Sequence, residues 1–247
     1  MFGTVDSISG SAFVSDQYGK STTIHIGAKV HEGQTINSGH GSEVHLVTED
    51  VGIIAVRPDS VFRVDSYKAE GSSEGRIFMS LLKGALRSIT GWIGKQNSSA
   101  YHVTTPSATI GIRGTDHEVT VIDASGGNEP GTYDTVNEGA TVLKTPQGEA
   151  EVVPGKFAFA PKERAVAPLY LTRHPRFWAS RKLLTEKRIQ QRMEFFRGRL
   201  EHMREDRIKR QKLIRRNRLK QGGQQHRKVR DQERSMKMRK HKGLREN

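Results

Sequence analysis

The chain has 247 residues, no cysteine and a formal net charge of +14, and 34% of its residues are hydrophobic. The absence of cysteine excludes disulfides, thiolate nucleophiles and cysteine-based zinc sites. No run of about 18 apolar residues occurs, so the sequence predicts no membrane-spanning helix.

The charge is divided unevenly along the chain. Residues 1–170 contain 14 Lys/Arg and 19 Asp/Glu, whereas residues 171–247 contain 27 Lys/Arg and 8 Asp/Glu. The first part therefore has a net charge of −5 and the second a net charge of +19. We treat them as two different kinds of polypeptide, a mildly acidic body and a very basic tail.

The first 66 residues have the pattern of an all-β unit. Short runs rich in Val, Ile and Thr, such as 22–26, 44–47, 53–56 and 61–64, are separated by glycine and aspartate. Turns recur about every 6–12 residues, which favours a β-solenoid or β-roll, although a sandwich is compatible with the same pattern.

A second β block follows a polar hairpin loop at residues 67–76. Strands are predicted over 77–82, 83–89 and 101–121, and a glycine-rich stretch at 126–131 predicts a flexible excursion. Final strands are predicted near 140–143, 151–153 and 157–161.

The pattern changes to a helical one after Trp178. Spacings of four and three residues place apolar side chains on one face, the seam formed by Ile189, Met193, Phe196, Leu200 and Met203. Ser180 is a candidate N-cap and Gly222-Gly223 a helix stop. Beyond Gln224 the composition predicts disorder. The seam is a candidate packing face, against the β body or in self-association.

The segment Tyr101-His-Val-Thr-Thr-Pro-Ser-Ala-Thr-Ile-Gly-Ile-Arg-Gly-Thr-Asp-His-Glu-Val119 resembles the closing signature of the FecR-type domain. The resemblance extends to residues 3–14, to residues 27–39 and to Leu82-Lys-Gly-Ala-Leu-Arg87, although Gln34 stands where the family commonly has aspartate. It implies a mainly β, solenoid-like or roll-like domain, placed at residues 1–125. Residues 126–170 would complete the body with further strands, and residues 171–247 would form a basic helical tail.

The motif residues are interpreted as a structural turn. Glycine at 111 and 114 permits a sharp bend or a close backbone approach. Arginine can satisfy several carbonyls or pair with the nearby aspartate, while threonine and aspartate can bind backbone amides at the corner. The turn set is Pro106, Gly111, Arg113, Gly114, Thr115 and Asp116. A ligand site that uses Arg113 is the alternative.

Other candidate sites have weaker support. His25, His31, His40 and His45 lie close in sequence but lack the spacing that fixes two metal ligands on one face. His117 stands between two acidic residues that alternation along a strand would direct to the opposite side. Gly71-Ser-Ser-Glu-Gly75 matches a nucleophile elbow but falls in a predicted loop. We predict no catalytic site, no cofactor and no metal.

The tail is the main candidate for binding anions. Its densest segment contains seven cations: Lys209, Arg210, Lys212, Arg215, Arg216, Arg218 and Lys220. Such a segment can bind anionic envelope surfaces or a protein partner. It can also bind nucleic acid without sequence preference, although no Phe, Tyr or Trp follows Phe196 to stack on bases. A solvated extension without a partner is the third alternative.

The resemblance implies a non-enzymatic, extracytoplasmic signalling or scaffold role. No export leader is recognisable after Met1, so a periplasmic location requires a leader encoded upstream, and a cytoplasmic protein is the alternative. The best-known family members relay an iron-uptake signal through an inner-membrane helix and an anti-sigma segment. Neither is recognisable here, so only the β scaffold is carried over, and an iron-signalling regulator remains a further hypothesis.

Overall fold

The computed structural model describes residues 1–68, 75–96, 100–123 and 128–178, together with helical positions at 187, 189–191 and 194. The chain divides into two units, Met1–Arg181 and Lys182–Asn247. The architecture below is that of the first unit. The predicted polar loop at 67–76, the nucleophile-elbow match and almost all of the basic tail, including most of the seam, lie wholly or largely outside the described residues. Of the predicted excursion at 126–131, residues 128–130 are described and belong to no strand, whereas Gly131 begins a strand.

The described part of the first unit is mainly β, as the sequence predicts. Its strands are β1 (Gly3–Ser9), β2 (Ala12–Ser15), β3 (Ser21–Thr23), β4 (Lys29–Val30), β5 (Thr35–Ser38), β6 (Glu43–Thr48), β7 (Ile53–Val56), β8 (Val61–Lys68), β9 (Arg76–Ile89), β10 (Tyr101–Thr104), β11 (Thr109–Ile122), β12 (Gly131–Thr145), β13 (Gly148–Val152), β14 (Phe157–Pro161) and β15 (Leu169–Tyr170). One short helix, α1 (Trp92–Gln96), follows β9, and a 3-10 turn covers Arg176–Trp178.

All fifteen strands belong to one continuous, open sheet, and three long strands divide it into two arms. The first arm contains β4, β1, β6, β7, the second half of β9, the second half of β11, the first half of β12, β14 and β15. The second arm contains β3, β2, β5, β8, the first half of β9, β10, the first half of β11, the second half of β12 and β13.

The three shared strands bend at glycines with positive φ. These are Gly84 in β9 (φ 85°), Gly114 in β11 (φ 60°) and Gly139 in β12 (φ 85°). At each bend the inward-facing positions change parity. In β9, for example, Ile77 and Met79 face the core before the bend and Leu86 faces it afterwards. The bends therefore let one strand contribute apolar side chains to both arms.

The core lies on the inner faces of the two arms. Its side chains are almost completely excluded from water, and the largest are Phe2, Ile36, Leu46, Ile54, Phe62, Ile77, Met79, Leu81, Leu86, Ile93, Tyr101 and Ile110. Most are the β-branched, aromatic or leucine side chains that mark the short strands in the sequence. A second, smaller cluster of Tyr133, Phe159 and Trp178 packs on the outer face near β14.

The structure does not confirm a β-solenoid. A solenoid stacks successive rungs side by side in parallel, whereas the strand pairs here are antiparallel, with β9–β10 as the parallel exception among the described strands. The regular turn spacing reflects hairpins and bends rather than helical rungs. Across the described ranges, no helix has both the length and the apolar character needed to cross a membrane.

Candidate functional site

The family-like motif lies in the middle of β11, where the strand passes from one arm to the other. Ile110 and Ile112 are completely buried before the bend at Gly114, and Val119 is completely buried after it. The register with β12 shifts between Arg113 and Asp116 and again before His117. These shifts decide which face of the sheet receives each charged side chain that follows.

Asp116 forms a two-point ion pair with Arg87 of β9. The Arg87 Nε and Nη2 atoms donate to Asp116 Oδ1 and Oδ2 over 2.8 and 2.7 Å. The Asn137 amide donates to the same Oδ1 over 3.3 Å. Both charged side chains are almost fully buried, so this pair holds β9 to β11 away from solvent.

A second buried network begins at Glu118 on the same face. Arg57 donates to Glu118 Oε2 and to Glu43 Oε1, each over 3.0 Å. His45 Nε2 lies 2.5 Å from that same Glu43 oxygen. Burial alone would raise the pKa of Glu43, but the His45 hydrogen bond and the Arg57 charge outweigh burial, so the pKa lies below its usual value.

His117 points to the opposite face, into the core. Its Nδ1 atom lies 3.1 Å from Asp134 Oδ1, and the Thr141 hydroxyl donates to Asp134 Oδ2. The His117 and Asp134 side chains are completely buried. His117 Nε2 has no hydrogen-bond partner among the described atoms. Because this imidazole and this carboxylate are hidden from solvent, the pair can contact only other groups of the core.

The three consecutive titratable residues of the motif therefore do not converge. Asp116 and Glu118 share one face and serve two different ion-pair networks, while His117 occupies the other face. Strand alternation predicts this separation. The partners Arg87, Arg57 and Asp134 were not predicted, because they are distant in sequence and only strand register brings them to the motif.

The other members of the predicted turn set have different environments. Pro106 is exposed in the turn between β10 and β11, where Thr105 N donates to Ala108 O over 2.8 Å. Gly111 lacks a positive φ, in contrast to Gly114. The Thr115 hydroxyl is buried without a hydrogen-bond partner among the described atoms.

Two details of the predicted turn are wrong. Asp116 pairs with Arg87 across the sheet instead of with Arg113, which is exposed. It also binds side chains instead of the backbone amides at the corner that the sequence suggested. The bend at Gly114 leaves Arg113 in the second arm and Asp116 in the first, next to β9 and Arg87, and this cannot be read from their spacing of three residues.

The predicted histidine cluster has mixed environments. His25 and His31 are exposed, His40 is an exposed partner of Asp59 at 3.1 Å, and His45 is buried against Glu43. Over the described ranges, no group of three or more His, Cys, Asp or Glu side chains is arranged to hold a metal ion.

Comparison with known proteins adds a family and two sets of structures. Two crystal structures of a candidate anti-sigma factor from Parabacteroides distasonis ATCC 8503, at 1.65 and 2.50 Å resolution, share 15% sequence identity with this chain and have a TM-score of 0.44. The alignment covers 56% of this chain and 58% of the other, so the chain spans little more than half of that protein.

A cell surface anchoring domain shares 22% identity with a TM-score of 0.24, over 24% of this chain and 79% of its own. No curated protein matches the chain. The sequence model of the family described as FecR protein matches residues 34–140, a range that begins just before β5 and ends within β12. It includes Arg57, Arg87, Asp116 and Glu118 of the buried networks. Residues 34–140 of this chain are therefore a FecR domain.

Proposed function

We propose that this chain is a non-catalytic binding module of the cell envelope, in which a rigid FecR domain carries a cationic tail that binds anionic surfaces or partners. The family is regulatory rather than catalytic, and FecR domains are typically periplasmic parts of envelope proteins. These properties support a signalling-related role outside the cytoplasm.

The observation that carries the scaffold part of the proposal is the internal use of the motif charges. Arg87 with Asp116, and Arg57 with Glu118, are consumed in ion pairs whose side chains are at most 8% exposed. Buried charges of this kind must stay paired, because an unpaired one costs several kcal/mol, on the order of 3–5. These two pairs therefore stabilise one arrangement of β9 and β11 and are not themselves available to bind a partner.

The tail supports the second part of the proposal through its charge. Residues 171–247 have a net charge of +19, and seven of the cations fall between Lys209 and Lys220. Each Lys or Arg near an anionic lipid surface contributes about 1 kcal/mol of attraction. Seven such groups are enough for stable binding to an anionic membrane or to an acidic partner.

Vesicle binding by the full chain tests the tail. We expect binding to vesicles that contain phosphatidylglycerol, none to vesicles of phosphatidylcholine alone, and a steep loss between about 50 and 200 mM salt. A variant with the seven Lys/Arg of 209–220 changed to Gln should bind at least about tenfold more weakly.

The matched control changes seven other tail cations to Gln: Arg227, Lys228, Arg230, Lys237, Arg239, Lys240 and Lys242. A smaller effect in the control indicates that the 209–220 segment is the binding element, while equal effects indicate a response to net charge alone. Equal binding to both kinds of vesicle contradicts the proposal.

The alternative function, non-specific nucleic-acid binding, is favoured by the same charge and is tested in parallel. It predicts that duplex and single-stranded DNA bind more tightly than the vesicles at equal salt, with a logarithmic salt slope set by the number of phosphates neutralised.

Fractionation of cells that express the complete native gene shows where in the cell the protein is found. A strictly cytoplasmic pool would contradict the envelope proposal and support the alternative.

A further inference from the structure

Gly111 is the one glycine of the motif whose presence the fold does not explain. It lies in β11 with no positive φ. A Cβ atom built on it would meet His102 Cδ2 at 3.7 Å and the Val142 carbonyl oxygen at 3.9 Å, which are ordinary contacts. Neither the backbone conformation nor crowding requires glycine here. The absence of a side chain therefore matters for the shape of the outer surface of the sheet and not for the packing of the core.

The missing side chain leaves a saddle on the outer face of the second arm. Strand register places Phe78, His102, Gly111 and Val142 side by side on β9, β10, β11 and β12. All four are partly exposed. The Phe78 and His102 rings lie 5.3 Å apart at 35°, so a pair of rings forms one wall and Val142 the other. Glycine within a strand often marks a close approach by a ligand or another backbone.

Three cationic side chains lie beside this saddle. Arg76, Arg113 and Lys144 each lie two residues along their strand from a member of the row, and therefore on the same face. Arg113 is exposed and forms no ion pair within the described part of the chain. Burial, and after it the charge of Lys144, lower the pKa of His102, so Lys144 lies close enough to act on this ring.

The charges around the saddle restrict the class of partner that can bind there. Residues 1–170 have a net charge of −5, so a cationic rim here runs against the charge of the body. Glu151 continues the row beyond Val142, and Glu149 pairs with Lys144 at 3.0 Å. A nucleic-acid strand crossing the row would bring its phosphates onto these carboxylates. A protein segment with separate carboxylates and an apolar side chain can place its carboxylates on the cations and away from Glu149 and Glu151.

We propose that the saddle formed by Phe78, His102, Gly111 and Val142 binds an extended segment of a partner protein that carries an aromatic side chain flanked by carboxylates. The aromatic side chain packs in the space over Gly111 against the Phe78 and His102 rings. The carboxylates pair with the guanidinium of Arg113, whose planar fork binds carboxylate at two points. This surface belongs to the body and does not depend on the tail proposed above to bind anions.

Nuclear magnetic resonance of the isotope-labelled full chain tests this proposal. The probe is a synthetic peptide, acetyl-Glu-Asp-Phe-Asp-Glu-amide, and the readout is the set of backbone amides whose shifts change. We expect saturable changes at residues 102, 111 and 142, separate from any changes within 171–247. A peptide of the same charge with alanine in place of phenylalanine should affect the saddle at least about tenfold more weakly.

Three variants of the full chain make the result specific. Gly111→Leu fills the saddle and Arg113→Glu reverses the charge of its exposed arginine, and each should abolish the changes at 102 and 142 while those in the tail persist. Lys83→Glu, an exposed site of equal charge change near the bend of β9, should leave them intact. Changes confined to the tail, or changes at the saddle that survive Gly111→Leu, would overturn the proposal. So would stronger changes at the saddle with a single-stranded oligonucleotide or with an unlabelled second copy of the chain.

Discussion

Arg87 of β9 and Asp116 of β11 are diagonal neighbours on adjacent strands and form a two-point ion pair that is almost completely shielded from water. Their two hydrogen bonds measure 2.8 and 2.7 Å, and the side chains are 3% and 4% exposed. The aspartate of the family motif therefore fixes the register of two bent strands. Its role depends on a residue that lies 29 positions earlier in the chain.

Replacing Asp116 by alanine should lower the free energy of unfolding by about 3–5 kcal/mol, because it leaves the buried Arg87 guanidinium without its carboxylate. Urea denaturation measures the change. Arg63→Ala is the matched control, since Arg63 is half-exposed where it pairs with Asp65 and its loss should cost less than about 1 kcal/mol. Equal losses in the two variants would show that the motif pair contributes no more than a surface pair.

Gly139→Ala should destabilise the protein by at least about 2 kcal/mol. The residue has φ 85°, and an added Cβ would lie 2.4 Å from the Gly114 carbonyl oxygen at the neighbouring bend. Gly111→Ala is the control within the same motif region. It should be neutral or stabilising by up to about 1 kcal/mol, since its φ is not positive and its surroundings admit a methyl group. Thermal unfolding followed by circular dichroism compares the two, and a larger loss for Gly111→Ala would contradict the bend assignment.

The acid stability of the domain should depend on Glu43. Its pKa lies below the usual value of 4.5 in the folded protein, so the unfolded chain binds protons more readily. The stabilisation is present above that value and is lost as the pH falls through the lower, folded pKa. Glu43→Gln should therefore be less stable than the unaltered protein at neutral pH and lose less stability between about pH 5 and pH 3. Urea midpoints of the two proteins, measured across this pH range, show how the stability of each depends on pH. The same dependence in both would contradict the role assigned to Glu43.

Alkaline stability should depend on Tyr101. Burial, followed by the charge of Asp50, raises the pKa of this phenol well above its usual value of 10.0, although Ser88 hydrogen-bonds its oxygen at 2.8 Å. A raised pKa means that the stabilisation is complete below the unfolded value and is lost as the pH rises above it. Tyr101→Phe should cost about 1 kcal/mol at neutral pH through the lost hydrogen bond and reduce the loss of stability above about pH 10. Urea denaturation at neutral and alkaline pH tests this, and Tyr18→Phe, at an exposed turn, is the control.

The mainly β class was predictable because short runs of Val, Ile and Thr between glycines have few other ways to bury their side chains. The FecR domain was predictable because its motif is local and ordered along the chain, and the family match confirms it. The long strand β12 was only partly predicted. Its first half buries Thr132 and Asp134, which are polar and therefore gave no apolar pattern. The short helix α1 was not predicted at all.

The amino-acid sequence by itself determined the strand-forming character of the body, the separation of an acidic body from a basic tail, and the alternation that places His117 opposite its neighbours. Only the tertiary structure decided that the strands fold into two arms instead of a solenoid, that Asp116 pairs with Arg87, and that Gly111 opens a saddle between His102 and Val142. The physical reason is that strand propensity and alternation act over a few residues. Register between strands, and the change of parity at each glycine bend, depend on contacts between residues that are far apart in the chain.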